Sequence, residues 1–404
     1  MDSVATPGVL GGLRIVELSA FVAVPLAGMT LAQLGADVIR VDPLGGGLDF
    51  RRRPITESGA SIYWAGLNKG KRSVALDLRQ RVARRLVRAL ITAPGEDAGV
   101  VITNISPRWL PYEDLRRDRP DLIMVVLRGN PDGSIAVDYT VNAAAGYPAI
   151  TGSEGDPVNH VLPAWDVVAG GNVVTAVLAA ERRRSRTGEG SLVELSLADT
   201  AFATLGHLGQ VGEVVINGEE RGRYGNYVYG TFGKDFATSD GGRAMVVALT
   251  PRHWSSLLEA TATAPAMTAL EEELGVDLSD EGARFAARER ISAILEGWFA
   301  SHTTGEVGTV LDRHRICWGP YRTVAELLAA DPRVSPESNP MWADVSQPGI
   351  GSYPVPGTPL SFSAVPRTAP RAAPVLGADT EAVLSGVLGL ESAGLAELQD
   401  LGVL

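Results

Sequence analysis

The chain of 404 residues holds one cysteine, Cys317, so it cannot form an intrachain disulfide, an iron–sulfur cluster or a cysteine-based zinc site. Its five histidines (His160, His207, His253, His302 and His314) are scattered, none at metal-ligand spacing. Long apolar runs are missing. The longest, residues 20–36, contains Pro25, Thr30 and Gln33 and is too short and interrupted for a membrane span. Positive charge is scarce: 36 Lys and Arg against 47 Asp and Glu leave a net charge of −11. That argues against a general nucleic-acid binder, which needs surplus positive charge to neutralise phosphates. Met1 to Leu10 carries Asp2 and no basic n-region, so a cytoplasmic, reducing compartment is expected. Several motifs are absent too. No Gly-x-Gly-x-x-Gly joins a strand to a helix, and there is no Gly-x-Ser-x-Gly elbow. Gly66 to Arg72 fails as a phosphate loop: the glycine spacing is one short, and Arg72 stands where Ser or Thr would hold magnesium.

What is present is ordinary for a folded globular protein, with 45% hydrophobic and 21% charged residues. The length suits two or three domains, or one long α/β domain with a smaller one. Strands are predicted at 13–18, 36–41, 73–76, 100–103 and 122–127, and helices from Pro25 to Leu34 and over 79–91, where Val82, Leu86 and Leu90 recur every fourth residue. Alternating strands and helices imply a parallel sheet covered on both faces. A long helix is predicted from Asp166 to Arg184, then a strand at 192–197. From Gly222 the pattern changes to short Gly-punctuated strands, with Asp240-Gly241-Gly242 as a hairpin turn and helices at 253–259 and 282–300. The tail is Pro-rich from Asp331 to Pro374 and helical over 380–388. The division expected is 1–200 for a large α/β domain, 201–225 a linker, 226–318 a small α+β domain, and 319–404 a return to the large domain, which residues 325–404 complete.

The chain has three lysines, and two of them, Lys69 and Lys71, stand together beside Arg72 in a chain that otherwise uses Arg. Such a pair suits phosphate oxygens, or is simply a solvated basic turn. Arg51-Arg52-Arg53 could meet a phosphate or carboxylate, or lie on an exposed loop; Arg182 to Arg186 fits a helix C-terminus. Asp166 precedes Val167-Val-Ala-Gly-Gly171 at a helix start. It is either an N-cap or a carboxylate nucleophile, with the paired glycines allowing close approach and free helix N–H groups supporting an oxyanion. The pattern alone leaves both open.

Leu13-Arg-Ile-Val-Glu-Leu-Ser19, Leu34-Gly-Ala-Asp-Val-Ile-Arg-Val-Asp-Pro43 with Gly45 to Gly47, and Asn68-Lys-Gly-Lys-Arg-Ser-Val-Ala-Leu-Asp77 resemble family III CoA-transferases, the CaiB–BaiF group. Leu178 to Arg182 with Thr187 to Gly190, Tyr321 to Leu328 with Asp331-Pro332, and Gly377-Ala-Asp-Thr380 fit the same family in order. The resemblance spans essentially the whole chain. It implies a large Rossmann-like domain with a parallel sheet, a smaller α+β domain, and an interlocked homodimer. It further implies an enzyme whose aspartate, here Asp166, attacks an acyl-CoA thioester to form a mixed anhydride and then an aspartyl-CoA thioester.

The substrates so implied are an acyl-CoA thioester and a carboxylate. Coenzyme A belongs to the substrate, with no permanently bound cofactor, no metal, no nucleic acid and no membrane. The resemblance places Ala20, Phe21, Val22, Ala23, Asp42, Pro43, Lys71, Asn104 and Ile105 around CoA. Some relatives carry a basic residue where Pro43 stands, which leaves Lys69, Lys71, Arg72 and Arg108 for the phosphates. Segments such as Tyr63-Trp-Ala-Gly-Leu-Asn68 and Asn159-His-Val-Leu-Pro-Ala-Trp-Asp166 resemble a branch that moves CoA between the two carboxyls of one branched C5 dicarboxylate. The alternatives are intermolecular transfer and, less favoured, racemisation next to the thioester. Racemases of the family place His and Glu where Val137 and Thr250 stand, and neither replacement titrates. A free carboxylate needs cations or donors, for which Arg53, Arg128, Arg223, Asn226, Tyr227 and Lys234 are candidates, with Val137 and Asp138 also at the substrate.

Overall fold

The computed structural model describes residues 8–105 and 107–404. Met1 to Pro7, most of the stretch read for a targeting signal, lies outside the described residues. The chain divides into two compact units. One comprises residues up to Ala145, His160–Ile216 and Asp331–Leu404; the other comprises Gly146–Asn159 and Asn217–Ala330.

The first unit is built on six parallel strands: β1 (Arg14–Leu18), β2 (Asp37–Pro43), β3 (Arg72–Leu76), β4 (Val100–Thr103), β5 (Ile123–Arg128) and β6 (Ser191–Ser196). Their order, β3-β2-β1-β4-β5-β6, is that of a Rossmann-like sheet. The near-continuous burial of β1, β2, β4 and β5 explains their Val- and Ile-rich runs, since both faces are covered. Order reverses between β1 and β4, and the crevice at their carboxyl ends is where such sheets bind ligands. Here the two loops are pinned together: the Ala20 N–H donates to Asn104 Oδ1 (2.9 Å), and Asn104 Nδ2 donates to the Ala20 carbonyl (2.8 Å).

Helix Arg81–Thr92 covers one face, but its buried stripe is Ala83, Val87, Leu90 and Ile91, with Val82 and Leu86 packed at the side. The tail completes this core through Val383, Leu384, Leu395 and Leu398. It also closes the sheet edge at β3: Asp379 Oδ2 accepts the Ser73 N–H (2.8 Å) and Thr380 Oγ1 the Ala75 N–H (3.0 Å), so the edge does not stay open for pairing. The Pro-rich stretch holds an antiparallel hairpin that the sequence reading missed, β10 (Trp342–Gln347) with β11 (Gly351–Pro356), because Pro354 and Pro356 read as strand breakers.

The second unit carries an antiparallel sheet of β7 (Phe232–Ala237), β8 (Arg243–Ala248) and β9 (Cys317–Pro320). Asp240 to Gly242 forms the expected turn, with Gly241 at φ 79° and Asp240 Oδ1 accepting from Thr238 Oγ1 (2.6 Å). Phe232, Phe236, Trp254, Leu257, Ile291, Leu295 and Phe299 fill its core. The helix predicted over 282–300 is two pieces, Glu281–Ala286 and Arg288–Ala300. Among the described residues no helix is long and apolar enough to cross a membrane, and no three His, Cys, Asp or Glu cluster as metal ligands.

Candidate active site

A cavity of about 610 Å³ opens at the carboxyl ends of the central strands, lined among others by Phe21, Arg52, Tyr63, Asn104, Arg128 and Asp166. Asp166 sits in the first turn of helix Ala164–Thr187. Its side chain is not the cap. That place is taken by Asp138, 2% exposed, whose Oδ2 accepts the N–H groups of Trp165 (2.7 Å) and Asp166 (3.0 Å). The other amides of this turn are also used, Ala164 by the Leu162 carbonyl and Val167 by Pro163. The helix therefore has no free N–H for an oxyanion, and that expectation is corrected. A long-range carboxylate cap complements the helix dipole and fixes where Asp166 starts.

Asp138 Oδ1 faces His160 Nε2 at 2.9 Å, so this one buried carboxylate orients a histidine and the helix together. Burial pushes the Asp166 carboxyl up to about 6; the Asp138 charge adds to the rise and Arg52 opposes it. Arg52 stacks over the rings of Phe21 (5.5 Å) and Tyr63 (5.2 Å), which hold it over the cavity. The Tyr63 hydroxyl is buried and has no hydrogen-bond partner among the described residues. Burial raises its pKa; Arg52 opposes that rise and Asp166 adds to it. A neutral donor thus lines the same cavity as the carboxylate.

Phe21 has φ 67°, a left-handed conformation that a bulky residue adopts only when its surroundings impose it. Asp49 Oδ2 accepts its N–H (3.1 Å), and Asp49 Oδ1 is tied to buried Arg40 (3.0 Å), which also grips Asp42 (2.8 Å). The glycine pair divides. A Cβ on Gly170 would lie 2.8 Å from the Ala23 carbonyl, so Gly170 serves close helix packing, not substrate approach; Gly171 is open.

The predicted CoA contacts are only partly brought together. Phe21, Val22 and Asn104 line the cavity with Val137 and Asp138, while Ala20 is buried in the Asn104 pairing and Ala23 lies inside the fold. Ile105, Pro43 and Arg108 are exposed near strand ends but do not line it, and Asp42 is sealed against Arg40. Lys71 is corrected: its Nζ is fully buried, donating to Glu17 Oε1 (2.8 Å), Asn68 Oδ1 (2.8 Å) and the Pro25 carbonyl (2.9 Å), and cannot meet a phosphate. Arg72 pairs with Asp37 and Lys69 lines a different cavity; both lie at the start of β3, at the opposite edge of the sheet.

Of the carboxylate-binding candidates, Arg128 lines the cavity while paired to Glu194, and Arg53 does not reach it; its neighbour Arg52 does. In the second unit, Arg223 donates to the carbonyls of Ala149 (2.7 Å) and Asp156 (2.8 Å), and Asn226 donates to Asp235. Tyr227 bonds Ser292 (3.1 Å) and Lys234 bonds Glu296 (3.2 Å). Sequence reasoning did not single out Tyr63 or His160 as site residues, although both stand in motifs that carried the resemblance.

The family model for CoA-transferase family III matches residues 10–380. The chain belongs to that family. Across 400 residues it is 54% identical to the 2-methylfumaryl-CoA isomerase of Chloroflexus aurantiacus, spanning 98% of both chains. It is 29% identical to the succinyl-CoA:mesaconate CoA-transferase of Haloarcula hispanica, over 88% of this chain and 90% of that one. A CaiB/BaiF family protein from Brucella suis superposes with a TM-score of 0.76 at 26% identity, covering 95% of this chain and 100% of the other. As a family III CoA-transferase the chain is an enzyme acting on CoA thioesters, and its carboxyl-edge cavity is the candidate place for such a substrate to meet a carboxylate.

Proposed function

We propose that this enzyme moves coenzyme A from the C1 to the C4 carboxyl of one mesaconyl-CoA molecule, with Asp166 as the nucleophile. The similarity to 2-methylfumaryl-CoA isomerase over 98% of both chains carries this reading. An Asp166 oxygen attacks the C1 thioester carbonyl, the C–S bond breaks, and CoA leaves as thiolate from a mixed anhydride. The thiolate attacks the aspartyl carbonyl, giving aspartyl-CoA and free mesaconate. The C4 carboxylate then attacks the aspartyl thioester and expels the thiolate, which attacks the C4 acyl carbon and releases Asp166. Holding mesaconate between these steps makes the second half effectively unimolecular. Arg52 supports the free carboxylate by charge, and the unpartnered Tyr63 hydroxyl supplies a donor to developing negative charge.

A pKa near 6 keeps Asp166 ionised at neutral pH yet more basic than an ordinary carboxylate, which suits a nucleophile. The acid limb of kcat/KM is therefore expected near pH 6, because the free enzyme loses its nucleophile as Asp166 takes a proton. Asp138→Asn removes a neighbouring negative charge, so it moves that limb to lower pH; losing the charged cap also destabilises the protein, by about 1–2 kcal/mol. A pH–rate profile of both proteins checks the sign of the shift.

Racemisation finds no base at Val137, half-exposed on the cavity wall, and Thr250 Oγ1 is spent capping helix Pro251–Thr261 (3.1 Å). The exposed apolar run Val214, Val215 and Ile216 suits burial against a second copy, as the homodimer reading requires. Intermolecular transfer is separated from the proposal by one assay. With mesaconyl-C1-CoA the C4 isomer forms when no acid is added, and when labelled free mesaconate is added it forms without taking up label. Uptake of label, or a requirement for added acid, refutes the intramolecular reading.

A further inference from the structure

A second cavity, of about 370 Å³, lies at the opposite edge of the parallel sheet, at the amino ends of β1 to β3. Its walls come from Gly8 and Gly11 before β1, Gln33 and Gly35 before β2, Lys69 and Gly70 before β3, and Gly357, Thr358 and residues 368–371 of the tail. No acidic residue lines it among the described residues, although the chain is acidic overall; Lys69 and Arg371 do. Lys69 is 5% exposed, and its Nζ donates to the Gly66 carbonyl without meeting a carboxylate among the described residues. This sets it apart. The other deeply buried cations of this sheet, Arg40 and Lys71, each face carboxylates.

Burial alone lowers the Lys69 pKa, to about 8, with no neighbouring charge to restore it. An ammonium removed from water without a counter-charge is costly, and a ligand that brings the counter-charge recovers that free energy. The Thr30, Leu31 and Ala32 carbonyls near the end of helix Ala23–Gln33 already accept the Leu34, Gly35 and Ala36 amides. Exposed Arg371 adds a planar fork suited to carboxylate or phosphate.

We infer that this cavity is a second binding site, separate from the reaction cavity, for a small molecule bearing an oxyanion (carboxylate or phosphate), with Lys69 as the inner contact and Arg371 as the outer one. The volume exceeds that of a lone phosphate ion and leaves room for a small organic frame.

The test uses the full chain at constant ionic strength, titrated by calorimetry with inorganic phosphate and, separately, with succinate. One of the two binds saturably, and the better arm identifies the oxyanion. Arg371→Gln, at an exposed position, weakens that binding by about tenfold or more, as loss of a charge-assisted hydrogen bond does. Lys69→Met abolishes it while leaving the ligand-free protein no less heat-stable, because the variant removes a buried charge that no carboxylate neutralises among the described residues. Should Lys69→Met fail to fold, Arg371→Gln carries the test. Absence of saturable binding, or binding that survives both substitutions, overturns the inference. So does competition between CoA and phosphate accompanied by a raised KM for CoA esters in Arg371→Gln, since the cavity would then belong to the reaction site.

Discussion

Asp166→Asn abolishes CoA transfer, with kcat falling on the order of 10⁴-fold or more, while the protein stays folded and still binds CoA esters. The amide keeps the shape of the side chain and leaves the Asp166 backbone N–H on Asp138. It cannot form an anhydride. The same substitution stabilises the protein at neutral pH. The folded-state pKa of about 6 lies above the ordinary 3.8, so the fold favours the protonated acid and its stability falls as pH rises through that window. Asparagine escapes this penalty, whose upper bound is about 3 kcal/mol at about 1.4 kcal/mol per pKa unit. Partial solvent access reduces it, and a rise in Tm of about 2–4 °C at pH 7.5 is expected. The gain shrinks as pH falls and vanishes only well below about pH 4, where the native carboxyl is protonated in both folded and unfolded chains. Paired thermal melts at pH 7.5 and 4 check the sign, and assays on the same samples check the loss of turnover.

Lys71→Met destabilises the fold by about 3–5 kcal/mol, the usual result of stranding one member of a buried ion pair. Both side chains are fully buried. Without Lys71, Glu17 keeps, among the described residues, only the Ser19 hydroxyl at 2.6 Å and the more distant Arg40 at 3.6 Å. Glu17 fills the space a side chain on Gly28 would need, since a Cβ there would lie 1.7 Å from Glu17 Oε2, so the carboxylate cannot swing away into the helix. Replacing both partners by apolar residues, Glu17→Leu with Lys71→Met, recovers most of the loss, because no lone buried charge remains. Thermal melts of the single and double variants measure the coupling. A Lys71→Met protein as stable as the parent, with a raised KM for CoA esters, would return Lys71 to the phosphates.

The parallel sheet was legible because strands buried on both faces write continuous apolar runs, and helix 81–92 because its pattern repeats every 3.6 residues. The buried stripe still fell one residue away from Val82 and Leu86, on Ala83 and Val87, since two overlapping apolar rows share that helix. Asp166 stood out through family resemblance. Its local pattern reads equally as a cap, and the true cap, Asp138, comes from 28 residues earlier. Lys69 and Lys71 look like one basic patch in sequence. Lys71 folds inward to Glu17, 54 residues away, and Lys69 lines a cavity walled partly by the tail. Such partners leave no trace in local spacing. Arg52 rather than Arg53 faces Asp166 for a similar reason: the choice among three consecutive arginines is made by the rings of Phe21 and Tyr63.

In the proposed reaction Asp166 carries the group in transit. Rapid quenching during turnover of mesaconyl-C1-CoA, followed by peptide mass analysis, measures it. The peptide containing Asp166 is predicted to carry a CoA adduct that appears and decays with turnover and is missing from Asp166→Asn. Turnover with the adduct on another residue, or undiminished turnover by Asp166→Asn, would contradict a nucleophilic role for Asp166.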